Sequence, residues 1–82
     1  MNNKRFLQKI LFSQNNIKFK DIVSLIESLG FSLDRISGSH HIFKHEDIPI
    51  LINLQRVKGE VKPYQVRQLL KIIEYYNLEF KN

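Results

Sequence analysis

The 82-residue chain has no cysteine and no tryptophan, only two prolines and three glycines, and only 8 acidic residues against 13 basic ones. Without cysteine there is no disulfide framework, no Cys-based zinc site and no thiol nucleophile, a usage that fits the cytosol. No apolar run approaches the roughly 20 residues of a membrane span, so no membrane association through a spanning helix is expected. The opening Lys4-Arg5-Phe6-Leu7-Gln8-Lys9-Ile10-Leu11-Phe12 has the basic start of a secretory signal, but Gln8 and Lys9 interrupt it and no small-residue cleavage site follows. The reading is a cytoplasmic protein without a leader.

What is present is ordinary for a folded domain: 43% hydrophobic and 26% charged residues. A chain of this size buries only about 60% of the surface exposed on unfolding, which leaves room for one modest core and no second domain. The net charge of +5 favours an anionic partner, nucleic acid or an acidic surface, without bearing on fold. Its distribution is uneven: residues 1–30 carry five basic and two acidic groups, 31–62 five and four, and 63–82 three and two.

Hydrophobic spacing sets out the elements. Phe6, Leu7, Ile10 and Leu11 mark one face of a short helix over residues 4–12, ended by the turn formers Ser13 to Asn16. Lys4, Arg5 and Lys9 beside that stripe suit a membrane surface, but three turns are short, and docking on the core or on a partner is the expectation. Phe19, Ile22, Val23, Ile26 and Leu29 define a second helix over 19–29, with Gly30 at its left-handed C-terminal position. The period then changes to two. Strands are expected over 31–36, 40–45 and 50–54, the first two joined by a turn at Ser37-Gly38-Ser39, giving an antiparallel meander. Residues 55–62 read as a basic loop around Gly59. Pro63 fits the first position of a last helix with Val66, Leu69, Leu70 and Ile73 inward, ending near Asn77. The fold class is therefore α+β, a three-stranded antiparallel sheet with helices on one face, its other face open to solvent, and an extra N-terminal helix.

His40, His41 and His45 fall within six residues. On a strand, His41 and His45 share a face but lie about 13 Å apart, too far for one zinc, and His40 and His41 point to opposite faces. Ser39 beside His40 lacks any nucleophile-elbow motif. Glu46 and Asp47 read as turn residues rather than a working carboxylate pair. No metal or small-molecule cofactor is implied. A histidine acting alone remains. An unperturbed imidazole titrates near pH 6.5, and RNA supplies its own nucleophile in the 2′-hydroxyl, so one proton-moving histidine beside phosphate-steadying cations could give cleavage. Gly38 would let backbone N–H groups approach a phosphate, Ser39 could donate a hydrogen bond, and Lys44, sharing strand parity with His40, could steady the phosphate. The competing reading is a tight hairpin with His40 as a plain surface residue.

The run Arg35-Ile36-Ser37-Gly38-Ser39-His40-His41-Ile42-Phe43-Lys44-His45 after Gly30-Phe31, with Pro63-Tyr64-Gln65-Val66-Arg67 downstream, resembles the HicA (YcfA-like) toxins of bacterial toxin–antitoxin pairs over roughly residues 19–75. The resemblance implies a double-stranded-RNA-binding-domain-like fold, a ribosome-independent mRNA interferase activity and a HicB-type antitoxin that blocks the active site. Its catalytic histidine, the one following Gly-Ser, maps onto His40, while His41 holds the neighbouring position that carries the only histidine in some members. Gly38, Ser39, His41, Lys44 and Arg67 are the expected contacts to single-stranded or messenger RNA. After the third strand, where the family often has a Pro and a His, this chain reads Asn53-Leu54-Gln55-Arg56-Val57. Residues 1–18 form an extension to a domain spanning 19–82. A non-catalytic RNA- or partner-binding module of the same fold is the alternative.

Overall fold

The computed structural model describes residues 2–81, in the order α1 (Asn3–Phe12), β1 (Ile17–Lys18), α2 (Phe19–Ser28), β2 (Ser32–Ser37), β3 (His40–Lys44), β4 (Ile52–Gln55), β5 (Glu60–Val61) and α3 (Pro63–Tyr75). Strands β2, β3 and β4 form an antiparallel sheet in that order, and β1 and β5 pair separately as a short ribbon. The architecture is α+β with three helices and a three-stranded antiparallel sheet, consistent with a double-stranded-RNA-binding-domain-like fold.

Side chains of directly paired residues lie on the same face of an antiparallel sheet, so the register reads as rows. Leu33–Phe43–Ile52 and Ile36–His41–Leu54 face the helices, whereas Ser37–His40–Gln55 and Arg35–Ile42–Asn53 face away. The buried members of the helix-side rows, Phe43, Ile52 and Leu54, join Ile22, Leu25 and Ile26 of α2 and Val66 and Leu69 of α3 in one core. Strict alternation along 31–36 would put Leu33 and Ile36 on opposite faces. A register shift between Leu33 and Arg35 makes Asp34 an extra residue, and this bulge returns both apolar side chains to the helix side. The helices do not reach across to β2, and Leu33 and Ile36 remain 45% and 56% exposed.

The N-terminal segment is tied into this core at both ends. Asn2 caps α1 through its side-chain oxygen, which accepts from the N–H groups of Lys4 (2.9 Å) and Arg5 (3.3 Å). Phe6 and Ile10 are buried against the domain, and Ile17 pairs with Val61. The residues expected as a loop, 55–62, thus contain β5, and β1 fills the two residues between the expected turn at Ser13 to Asn16 and the start of α2. Two-residue strands carry no periodicity, and their pairing is set by the tertiary contacts of Ile17 and Val61, both in the core.

Two further connections fix the layers. Gln65, on the first turn of α3, is buried; its Oε1 accepts from the Gln55 N–H (3.0 Å) and its Nε2 donates to the Asn53 carbonyl (3.2 Å). One side-chain amide thereby completes the free edge of β4 in place of a fourth strand. At the other end, His45 falls just outside β3: its Nε2–H donates to the Leu29 carbonyl (3.0 Å), its Nδ1 accepts from the Asp47 N–H (3.0 Å), and its ring packs on Phe31. Gly30 lies under this ring at φ +103°, where an added Cβ would sit 2.7 Å from His45 Nε2.

Candidate functional site

The hairpin tip between β2 and β3 is a two-residue turn, Gly38-Ser39, closed by the pair Ser37–His40. Gly38 has φ +61°, and Ser39 is not among the residues with positive φ, the pattern of a type II′ turn with glycine first. Because β4 runs up to this tip, Gln55 pairs with His40, and the Arg56 N–H donates to the Ser39 carbonyl (3.0 Å). Gln55 Nε2 also donates to Ser39 Oγ (3.4 Å). Sheet pairing, rather than sequence proximity, brings Asn53, Gln55 and Arg56 to the Gly38–His41 segment.

On the open face, His40 Nδ1 lies 3.0 Å from Asn53 Oδ1. An amide oxygen only accepts, so this bond places the proton on Nδ1 and leaves Nε2 with a free lone pair. His41, on the helix side, has its ring edge-on to Phe19 at 4.7 Å, and its Nδ1 donates to the Ser39 carbonyl (3.3 Å). It too presents Nε2 as the free nitrogen. The two rings stand at the same end of β3 but on opposite sides of the sheet, so they cannot both reach one phosphorus atom from a single face.

The cations expected to accompany them are distributed unevenly. Lys44 lies four residues along β3 from His40, about 13 Å away. Its ammonium faces Asp34 Oδ1 at 3.7 Å, and Arg35 binds Asp34 Oδ2 at 2.6 Å. The bulged Asp34 therefore compensates both cations at that end of the open face. Arg67 is exposed on α3, about 200° around the helix from Gln65 and so turned away from the β4 edge. The structure brings Gly38, Ser39, His40 and His41 together and leaves Lys44 and Arg67 apart from them. On the other side of the tip, Lys18, Phe19, Lys20, Arg56 and Gly59 line a cleft of about 350 Å³, with Phe19 shared between the cleft and the His41 ring.

Sequence reasoning did not single out Asn53, Gln65 or the Arg56–Ser39 link. Parity within each strand was readable, but the stagger of β4 against β3 was not, and it is that stagger which sets Asn53 beside His40. Among the described residues no group of three His, Cys, Asp or Glu side chains is gathered that could hold a metal ion. Nor, among the described residues, is any helix long and apolar enough to cross a membrane.

Comparison with known proteins adds one finding to this geometry. Neither a curated protein nor a solved structure matches the chain. The family described as HicA toxin of bacterial toxin–antitoxin matches residues 19–75, most of the sequence, including both histidines of the hairpin tip, Asn53, Gln65 and the whole of α3. The chain belongs to the HicA family of toxins of bacterial toxin–antitoxin systems.

Proposed function

We propose that this HicA-family toxin is a cytoplasmic, metal-independent endoribonuclease that cleaves messenger RNA at the β2–β3 hairpin tip, with His40 moving the proton. In this reaction the imidazole accepts the proton of a ribose 2′-hydroxyl. The 2′-oxygen bonds to the adjacent phosphorus, the bond to the 5′-oxygen breaks, and the departing oxygen takes a proton from solvent. The products are a 2′,3′-cyclic phosphate and a 5′-hydroxyl end. The supporting observation is the His40–Asn53 bond, which fixes the ring and leaves Nε2 as the basic nitrogen on an open face. The Gly38-Ser39 turn and the Ser39 hydroxyl lie next to it and can contact a phosphate.

A second reading gives the same role to His41. The observation that favours it is the cleft on its side of the sheet, where Lys18, Lys20 and Arg56 converge, whereas the cations of His40's face are compensated by Asp34. Under either reading the antitoxin partner of this toxin is of the HicB type and covers the hairpin tip. Purified toxin, free of antitoxin and with chelator present, is expected to cleave RNA to cyclic-phosphate ends. His40→Ala is expected to abolish this and His41→Ala to weaken it. The reverse order assigns the chemistry to His41. No cleavage by the wild type leaves a binding module of the same fold.

A further inference from the structure

Three segments far apart in sequence meet beside the hairpin tip. β1 supplies Lys18, the first turn of α2 supplies Phe19 and Lys20, and the residues after β4 supply Arg56 and Gly59; the Phe19 N–H donates to the Gly59 carbonyl at 2.9 Å, which closes the floor of the cleft between them. Glu60 stands opposite Lys18 in the β1–β5 register, and Asp21 lies on the first turn of α2. Among the described residues neither forms an ion pair with Lys18, Lys20 or Arg56, and the three cations stand uncompensated around one concave space. Like charges gathered this way repel one another and contribute nothing to folding. A bound polyanion relieves the repulsion. The open face differs, since its cations already have a carboxylate.

The cleft is also tied to the reacting end of the molecule by the backbone. The Ser39 carbonyl accepts from the Arg56 N–H and from His41 Nδ1, and the His41 ring leans on Phe19 of the cleft wall. Arg56 is thus held at a set distance from the Gly38-Ser39 turn, and a chain of phosphates crossing the turn continues into the cleft.

Building on the nuclease reading above, we infer that the Lys18–Lys20–Arg56 cleft holds backbone phosphates of single-stranded RNA next to the phosphate that reacts. These three are positioning residues. They grip the strand in ground state and transition state alike, and so govern binding rather than bond breaking.

The test uses a short 2′-O-methyl oligoribonucleotide, which keeps the phosphates and lacks the nucleophile, with binding followed by fluorescence anisotropy across a salt series. Combining Lys18→Gln, Lys20→Gln and Arg56→Gln is expected to weaken binding about tenfold or more and to reduce the slope of log K against log salt by about two, at about 0.7 per phosphate contact on a single strand. The matched control, Lys4→Gln with Arg5→Gln and Lys9→Gln on α1, removes the same charge and is expected to change the slope by less than about 0.5. On cleavable RNA the cleft variant is expected to raise KM with kcat within about twofold. Equal losses in the cleft and control variants would overturn the assignment, as would a fall in kcat at unchanged KM. Competition by inorganic phosphate beyond its ionic-strength effect would make the cleft a free-phosphate site and overturn it too. Wild-type binding without cleavage would end the nuclease reading and leave the cleft standing. Absence of binding would end both.

Discussion

The two faces of β3 place neighbouring histidines in different surroundings. His40 stands on the open face with Asn53 and Gln55, amides without charge, and the nearest cations along that face are compensated by Asp34. His41 stands on the helix side, wedged on Phe19, one residue wall from three uncompensated cations. One face holds the imidazole fixed by a side-chain amide, and the other adjoins the cations that form no ion pair. The contrast teaches that a Gly-Ser-His-His run is two different sites, and that the single-residue step of a strand separates them.

Substitutions on the two faces should therefore differ in kind, and the largest effect lies on the helix side. Leu54, the sheet partner of His41, is 1% exposed within the core, and Leu54→Ala is expected to lower stability by about 2–5 kcal/mol in urea unfolding. A loss below about 1 kcal/mol would mean that this face is not the packed one. Gln65→Ala comes next, because it strips the β4 edge of one acceptor and one donor together. About 1–3 kcal/mol is expected, with faster amide exchange at Gln55, whose N–H loses its partner. On the open face, Asn53→Ala should leave stability within about 1 kcal/mol but lower kcat about tenfold, since the His40 ring loses the bond that sets its tautomer. An unchanged kcat would move the chemistry to the other side of the sheet. The smallest effect is expected from Lys44→Gln, which removes an exposed ion pair and should shift stability by less than about 1 kcal/mol. It should also leave RNA affinity close to that of the wild type. A large loss of affinity would show that RNA runs the length of the open face and would erase the contrast.

Much of the molecule was legible in its sequence, for identifiable reasons. The stripe of α2 and the Pro63 start of α3 follow from helical spacing and from proline at a position whose N–H needs no partner. The Gly38-Ser39 turn follows from glycine's access to positive φ. β1 and β5 were not readable, since each is two residues long and exists only by pairing with the other. The Asp34 bulge escaped for a related reason, because one extra residue in an edge strand leaves no mark in a period-two pattern. His45 read as a strand residue, whereas its hydrogen bonds to Leu29 and Asp47 make it a brace for the end of α2. Strand parity already separated His40 from His41. The company each keeps depends on the β3–β4 register and on the close approach of Arg56 to Ser39, neither of which a single sequence encodes in a local pattern.

The most direct measurement is the cleavage rate of antitoxin-free protein on single-stranded RNA, with chelator present, for the wild type, His40→Ala and His41→Ala, each variant confirmed folded by its thermal melt. The expected result is cleavage by the wild type, a loss of about 10²-fold or more for His40→Ala, and a smaller loss, mainly in KM, for His41→Ala. Cleavage by His40→Ala at close to the wild-type rate would contradict the assignment of His40 as the residue that moves the proton.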